Sequence, residues 1–391
     1  MTIRDAFKVS LAIGVCSCPA TAQEAAPGWI NEGPFVVDDD FSLSVPLESA
    51  AAKYYVDVTI EGRPLRFVLD TGSPSMIDSS IADELGLEVV GTNVGRNAHG
   101  AEVRTSIVQS NMELGGVTFQ NVPIFAADFS RSEAAQCFIG DGVLGSEILP
   151  LCAWQIDVPD STLRCNTRLS ELEHVSEATR LGLYNFGYPH APFLDVAFAK
   201  DAKSKAMFDT GSPSFFTISP PDFEGAKKSR AIADVKSGYG SLGASLGGQA
   251  PNSDQVRCEL RSFDIGDLAI GRLGTVMREL PPSLIGSQFL DHFIVTLDFR
   301  SNAAYAEKYA DIKRAKPPFG FSLGFEERVF VSLVWKDSQA ERAGLRVGQT
   351  ISSINGVATD LSCEGMQRAI EAMNGQRIEI AWDEGSATLG R

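Results

Sequence analysis

Asp70-Thr71-Gly72-Ser73-Pro74-Ser75 recurs without change as Asp209-Thr210-Gly211-Ser212-Pro213-Ser214, 139 residues further along the chain. A strand-like segment precedes each copy, Tyr54–Ile60 before the first and Phe193–Phe198 before the second. The alternation of apolar and polar residues in these segments is typical of half-buried strands. The hexapeptide therefore occurs twice in the same β-rich context.

Two further landmarks follow each hexapeptide in the same order. Gly142–Leu149 resembles Ser283–Leu290, and Leu114–Phe119 resembles Ile265–Ile270. Ordered matches at similar intervals indicate an internal repeat. The sequence thus predicts two homologous, β-rich lobes at residues 46–166 and 190–308, with 167–189 as their connector and a helix possible within 170–179.

A glycine-rich tract, Gly238–Gly248, lengthens the second lobe relative to the first. Glycine runs are conformationally loose. Two interpretations stay open: a mobile cover over a site, or a surface loop.

The composition of the chain argues against extensive disorder and against nucleic-acid binding. The chain has 391 residues, 34 Lys and Arg against 50 Asp and Glu, a net charge of −16 and 44% hydrophobic residues. This is an ordinary globular balance, which excludes disorder for most of the chain, and the length suits two to three domains. An acidic surface repels phosphate backbones, so we expect no nucleic-acid partner.

The first 22 residues have the pattern of an export signal. Arg4 and Lys8 precede the apolar run Val9–Val15, and Ala20-Thr21-Ala22 fits a cleavage site. Alternatives are an N-terminal helix or a lipid anchor at Cys16 or Cys18. No later apolar run is long enough to span a membrane. We therefore expect an exported protein, periplasmic or extracellular, whose mature chain opens with a segment at 23–45.

An oxidising compartment permits disulfides. Five cysteines follow the signal: Cys137, Cys152, Cys165, Cys258 and Cys363. Cys152 and Cys165 flank a predicted hairpin and are a candidate pair, with small buried thiols as the alternative. An odd number leaves at least one without an intramolecular partner. The four histidines are scattered, so the sequence predicts no metal site and no cofactor.

Two matched aspartates at strand ends suggest a shared site. If the lobes pack about a pseudo-twofold axis, Asp70 and Asp209 meet and hold one proton between them, because two close carboxylates resist double ionisation. The charged carboxylate can then take a proton from water, while the neutral one polarises a carbonyl and later protonates the leaving amine. This is peptide hydrolysis without a metal or a covalent intermediate.

These motifs resemble the aspartic proteases of the pepsin and retroviral-protease superfamily over residues 54–308. The resemblance implies a bilobal, mainly β acid-protease fold of two barrel-like lobes, with an extended substrate across the cleft. It assigns Asp70 and Asp209 as the catalytic dyad and assigns supporting roles to Thr71, Gly72, Ser73, Thr210, Gly211 and Ser212. Val143-Leu144-Gly145 and Leu284-Ile285-Gly286 match the apolar-apolar-Gly element beneath each loop.

The substrate-covering hairpin, or flap, of such enzymes is expected near residues 97–101. Its candidates are Ala98, His99 and Gly100, with His99 either a substrate contact or an ordinary loop histidine. No flap tyrosine is identified, which leaves specificity open.

A different pattern begins after Lys308. Ala343-Gly344-Leu345, Gly348 and Ile354-Asn355-Gly356 resemble a PDZ domain of the kind attached to bacterial proteases, a small α+β unit at residues 310–391. Such domains bind peptides by strand addition at a sheet edge. We expect the peptide carboxylate at a loop formed by Phe321, Ser322, Leu323, Gly324 and Phe325. The alternative is a domain that only braces the protease.

The sequence as a whole predicts an exported aspartic endopeptidase, a monomer, that acts on protein or peptide substrates. Its PDZ module would recruit substrate or regulate access. The competing interpretation is a non-catalytic peptide-binding or regulatory protein that uses the cleft and the PDZ groove.

Overall fold

The computed structural model describes residues 33–312 and 319–391. The predicted export signal at 1–22, its lipid-anchor alternative and the linker-like stretch 315–318 lie outside the described residues. Within those ranges, no helix has the length and apolar character needed to cross a bilayer.

The first lobe is built almost entirely from strands. Its elements are β1 (Ser42–Pro46), β2 (Glu48–Ala50), β3 (Lys53–Ile60), β4 (Arg63–Leu69), β5 (Met76–Asp78), α1 (Ser79–Glu84), β6 (Val89–Arg96), β7 (Glu102–Leu114), β8 (Val117–Ala127), α2 (Glu133–Ile139), β9 (Gly142–Leu144), β10 (Ala153–Asp157) and β11 (Thr162–Asn166).

The second lobe repeats this plan. Its elements are β12 (Thr179–Asn185), β13 (Pro192–Ala199), β14 (Ala202–Asp209), β15 (Phe216–Ile218), α3 (Pro220–Lys228), β16 (Ile232–Gly240), β17 (Ala244–Ser245), β18 (Gly248–Gln249), β19 (Ser253–Leu260), β20 (Asp264–Ile265), β21 (Leu268–Ala269), β22 (Leu273–Met277), β23 (Ser283–Gly286), β24 (Phe293–Asp298) and β25 (Ala303–Lys308). Short 3₁₀ turns, among them Ser146–Leu151 and Ser287–Asp291, follow β9 and β23.

The C-terminal unit is a small α+β module with its own apolar core. It contains β26 (Phe321–Glu326), β27 (Arg328–Trp335), α4 (Gln339–Arg342), β28 (Ile351–Ile354), β29 (Val357–Ala358), α5 (Cys363–Ala372), β30 (Arg377–Trp382) and β31 (Gly385–Gly390).

The internal repeat has a direct structural counterpart. In the first lobe, β4 runs parallel to β9, and β9 also pairs antiparallel with β5. In the second lobe, β14 runs parallel to β23, which pairs antiparallel with β15. In both lobes, the apolar strand that follows the hexapeptide in sequence therefore lies beside the strand that carries the aspartate. The prediction of a mainly β, two-lobed fold is confirmed.

Gly145 and Gly286 allow these neighbouring strands to lie directly under the hexapeptide loops. A Cβ atom on Gly145 would lie 2.2 Å from the carbonyl carbon of Pro74, and one on Gly286 would lie 2.2 Å from the carbonyl oxygen of Ser214. No real Cβ tolerates such distances to backbone atoms. The apolar-apolar-Gly pattern is thus a packing requirement of each loop.

A sheet shared by both lobes joins them. β10 of the first lobe pairs with β24 of the second, and every residue of these two strands is buried because the lobes cover both faces. β11 and β1 extend the sheet on one side, and β25 and β12 extend it on the other.

Two segments beside the predicted lobes contribute strands to this shared sheet. Ser42–Pro46, most of which lies in the segment 23–45, forms β1. The connector 167–189 was expected to join the lobes with a helix within 170–179, but a 3₁₀ turn at Leu169–Glu171 leads to strand β12 at Thr179–Asn185. Both segments become strands because partner strands distant in the sequence supply their hydrogen bonds.

The described residues contain two disulfides and one buried free thiol, Cys258. Of the two interpretations left open for Cys152 and Cys165, the structure has the disulfide, which closes the β10–β11 hairpin. Cys137–Cys363 joins α2 of the first lobe to α5 of the C-terminal unit, across 226 residues of sequence.

The C-terminal unit differs from expectation at one site. Residues 321–325 were expected to form a carboxylate-holding loop, but they lie in strand β26, paired antiparallel with β27. Their apolar-polar alternation from Phe321 through Leu323 is a strand pattern, and Gly324 lies in the strand because the Phe330 ring packs against its backbone.

Gly286→Ala is expected to lower the free energy of unfolding by about 3 kcal/mol, at the upper end of overpacking costs. The added methyl would meet fixed backbone oxygens that no rotamer change can move. Gly274→Ala in β22 is the matched control, since nothing lies within 4 Å of the added atom. Urea denaturation of both variants measures the difference, and equal stabilities would contradict this packing role.

Candidate active site

Each repeated aspartate stands at the end of a strand and is held by a backbone amide of its own loop. Asp70 directly follows β4, and its N–H donates to the carbonyl of Leu144 at 3.0 Å. The N–H of Gly72 donates to Asp70 Oδ1 at 2.9 Å, and that of Ser212 donates to Asp209 Oδ1 at 3.2 Å. The tight Asp-Thr-Gly turn therefore presents each carboxylate in one fixed orientation.

The two loops exchange side-chain hydrogen bonds through their threonines. Thr71 Oγ1 accepts from the N–H of Thr210 at 3.1 Å and donates to the carbonyl of Phe208 at 2.6 Å. Thr210 Oγ1 accepts from the N–H of Thr71 at 3.1 Å and donates to the carbonyl of Leu69 at 2.7 Å. Both threonines are buried. Four hydrogen bonds thus fix the separation of the two loops.

The glycine of each loop faces the aspartate of the other. A Cβ on Gly72 would lie 2.6 Å from Asp209 Cγ, and one on Gly211 would lie 2.4 Å from Asp70 Cγ. Any side chain at either position would displace the opposite carboxylate. Glycine is therefore required at both positions for Asp70 and Asp209 to lie side by side.

The two serines that follow these glycines support the loops through their backbone. Ser73 accepts from the N–H of Ser146 at 2.9 Å, and Ser212 accepts from that of Ser287 at 2.7 Å. In the part of the chain that the structure describes, the buried Ser73 hydroxyl makes no hydrogen bond to protein. The amides of Gly72 and Ser212, rather than these hydroxyls, thus donate to the carboxylates.

The electrostatics of the pair are asymmetric. Burial and the neighbouring negative charge of Asp70 hold the pKa of Asp209 well above its ordinary value. The positive charges of Lys53 and Arg278 oppose that shift. Two carboxylates in contact cannot both ionise readily, so one proton is retained between them.

Sequence analysis did not identify Lys53 and Arg278, because neither lies in a motif. Lys53 begins β3 and its Nζ donates to the carbonyl of Gly211, across the lobe boundary. The Arg278 guanidinium donates to the carbonyl of Pro282, and burial lowers its pKa. Each lobe therefore contributes one cation whose charge acts on Asp209.

The hairpin β6–β7 has its tip at residues 97–101, where the flap was expected. The tip reaches the second lobe. His99 Nδ1 lies 3.9 Å from Glu279 Oε2, and Leu280 Cδ1 lies 3.2 Å from the position of a Cβ on Gly100. Burial lowers the pKa of His99. The flap candidates Ala98, His99 and Gly100 thus form a turn that closes on residues near Arg278.

The glycine-rich tract contributes a second tip opposite the flap. It leaves strand β16, forms the small hairpin β17–β18, and returns through β19. The side chain of Asn97 in the flap donates to the carbonyl of Leu246 at 2.9 Å. Two hairpin tips, one from each lobe, therefore meet.

The C-terminal unit is attached to the hairpin that carries this second tip. β27 pairs antiparallel with β16, with Tyr239 opposite Val334, so both belong to one sheet. The N–H of Gln249 also donates to Glu326 Oε1 at 2.8 Å.

A buried glutamate lies beneath the first loop. Glu147 Oε2 accepts from the N–H of Ser75 at 2.9 Å, and the side chain is fully enclosed. Burial raises the pKa of Glu147 to about 7. Gln288 occupies the corresponding position of the second repeat in the sequence, but its side chain is exposed, so the buried carboxyl group is a feature of the first lobe.

Family comparisons identify two modules in this chain. Residues 56–148 match the model described as an aspartyl protease, and residues 330–383 match that of a PDZ domain. The chain thus contains an aspartyl protease domain followed by a PDZ domain, which confirms the resemblances seen in the sequence. The protease match covers the Asp70 loop, the flap hairpin and the strand that ends at Gly145.

No curated protein matches the chain, whereas solved structures do. Among them, an aspartic proteinase from Irpex lacteus matches with 10% sequence identity over 69% of this chain and 98% of its own, at a TM-score of 0.41. Within the described ranges, no three His, Cys, Asp or Glu side chains group as a metal site would require.

Glu147→Gln is expected to flatten the dependence of stability on pH. The pKa of the Glu147 carboxyl group is raised from 4.5 to about 7 in the folded state. Protonated Glu147 therefore contributes its full stabilisation below pH 4.5, and this contribution is lost as the pH rises to about 7. The loss is on the order of 2–3 kcal/mol. Denaturant unfolding at pH 4.5 and pH 8 measures it in wild type and variant.

Glu61→Gln is the control for a general charge effect, since that residue is exposed. An identical loss of stability in wild type and Glu147→Gln would contradict the assigned titration.

Proposed function

We propose that the chain is an aspartic endopeptidase whose catalytic dyad is Asp70 and Asp209. The observation that carries this proposal is the reciprocal approach of Gly72 to Asp209 and of Gly211 to Asp70, which leaves two carboxylates in one place. The aspartyl protease match over residues 56–148 supports the same chemistry.

In the proposed ground state Asp209 holds the proton and Asp70 is ionised. Asp70 takes a proton from a water molecule, and the resulting hydroxide adds to the carbonyl carbon of the scissile peptide bond. Asp209 donates its proton to the carbonyl oxygen, which gives a neutral diol. Asp70 then protonates the leaving nitrogen while the diol returns a proton to Asp209. The products are a carboxylic acid and an amine, and the dyad regains its starting state.

We propose positioning roles for the loop residues. Thr71 and Thr210 hold the two carboxylates at one separation, and the amides of Gly72 and Ser212 fix their orientation. Pre-organised geometry of this kind lowers the barrier because no reorganisation accompanies the reaction. The flap tip at 97–101 would cover an extended peptide and exclude water from the cleft.

We also propose an oligomeric state, a compartment and a role for the PDZ domain. Both aspartates come from one chain, so a monomer suffices for catalysis. Two disulfides suit an oxidising compartment, and we propose that the protein works after export. The PDZ domain suits a peptide ligand, and we assign it a regulatory rather than a recruiting role because a helix of the protease packs into its core.

Asp70→Asn and Asp209→Asn are each expected to lower proteolysis of an unfolded, reduced protein by at least about 100-fold, because each removes one partner of the proton exchange. The assay follows new amino termini across acid to neutral pH. Asp57→Asn, at an exposed position on β3, is the matched control and should retain full activity.

Loss of activity in one aspartate variant alone would refute a shared dyad. A wild type that binds the unfolded protein without cutting it at any pH would favour the alternative, a non-catalytic peptide-binding protein.

A further inference from the structure

The PDZ domain has one sheet edge suited to a peptide. β26 (Phe321–Glu326) pairs with β27 along one side. In residues 33–312 and 319–391, no strand pairs with its opposite side. PDZ domains bind peptides by adding a strand to an exposed edge. The open side of β26 is therefore the edge at which an outside peptide would be added.

A helix of the protease lies against this strand. α2 (Glu133–Ile139) contacts both β26 and α5. Its residues Ala134 and Cys137 are buried in the same apolar cluster as Phe321, Phe325 and Met366 of the PDZ domain. The helix thus packs against both β26 and α5, and it contributes to the PDZ core.

α2 is nevertheless anchored in the first lobe. The hydroxyl of Tyr55 on β3 donates to the carbonyl of Phe138 at 2.9 Å. Gly140, which ends the helix at a positive φ of 75°, packs so closely that a Cβ there would lie 2.7 Å from the carbonyl oxygen of Arg66 on β4. The helix is therefore a fixed arm of the protease lobe that reaches into the PDZ domain.

A covalent bond holds the arm in place. Cys137 in α2 is disulfide-bonded to Cys363, the first residue of α5. An occupant tethered in this way competes at a millimolar or higher effective concentration. An outside peptide of ordinary micromolar affinity cannot displace it while the bond is intact.

We propose that α2 is a built-in occupant of the PDZ peptide groove, and that the groove opens to an outside peptide only after the Cys137–Cys363 disulfide is reduced. A dithiol would supply two electrons and two protons. The S–S bond breaks, two protein thiols form, and the donor becomes a disulfide. This inference does not depend on the proposed proteolysis.

The PDZ domain stays attached to the protease when the disulfide is absent. The β16–β27 pairing and the hydrogen bond from Gln249 to Glu326 involve neither cysteine. Reduction of the disulfide would therefore expose the groove while the PDZ domain stays attached to the second lobe. Release of α2 would expose the apolar side chains of Phe321, Phe325 and Met366, which share its cluster. The expected ligand is therefore a peptide with an apolar C-terminal residue.

Peptide binding by the full mature chain tests the proposal. All proteins carry Asp209→Asn so that the probe is not cut. The test variant adds Cys137→Ser with Cys363→Ser, and the matched control adds Cys152→Ser with Cys165→Ser. The probes are fluorescein-labelled hexapeptides that end in Val, Leu or Phe with a free carboxylate, and fluorescence anisotropy measures their affinity.

We expect at least about tenfold tighter binding by the test variant than by either of the other two proteins, because α2 has lost its covalent tether to the PDZ domain and competes less strongly. Equal affinity in all three proteins, or no binding in any of them, would overturn the proposal.

Hydrogen exchange on the same proteins distinguishes exposure of the PDZ groove from unfolding of the PDZ domain. Amides of residues 133–139 and 321–326 should exchange faster in the test variant alone, while those of β30 and β31 stay protected. Unchanged exchange at 321–326, or faster exchange throughout the PDZ domain, would also overturn the proposal.

Discussion

The exchange of hydrogen bonds between Thr71 and Thr210 is the constraint on which the rest of the site depends. Each hydroxyl accepts from the opposite backbone N–H and donates to a carbonyl of the opposite strand end. Both residues are buried, so a missing partner would leave a donor or acceptor unsatisfied at a cost of about 1–3 kcal/mol. The loops therefore have one favourable separation. At that separation, only glycine fits beside each carboxylate.

The chemistry follows from this enforced proximity. Two carboxylates that the loops hold together cannot relax apart, so burial and then their mutual repulsion raise the pKa of Asp209. The positive charges of Lys53, from the first lobe, and Arg278, from the second, oppose this rise. The tip of the β6–β7 hairpin meets the glycine-rich tract through the hydrogen bond from Asn97 to Leu246, and the hairpin that carries the tract is continuous with the sheet of the PDZ domain. The site and the PDZ domain are thus parts of one connected framework.

Sequence alone predicted the features that rest on local patterns. The duplicated hexapeptide and the glycines at 145 and 286 follow from the repeat. The pairing of Cys152 with Cys165 was one of two interpretations that the sequence left open, because a hairpin brings the two residues close in either case. Strands β1 and β12 were missed because their partners lie elsewhere in the sequence. Cys137–Cys363 was missed for the same reason, since 226 residues separate the two cysteines. Lys53 and Arg278 are single cations whose role is visible only when the lobes are packed together.

The protonation of Asp209 tests most directly whether the two lobes build one site. The difference infrared spectrum of wild type minus Asp209→Asn should contain a carboxylic acid band that titrates well above the ordinary range of aspartate. The same band, measured in the Asp70→Asn background, should disappear at a lower pH, because removal of the neighbouring charge favours ionisation. An identical midpoint in both backgrounds would show that Asp70 and Asp209 do not share a site, and it would contradict a catalytic dyad built from both lobes.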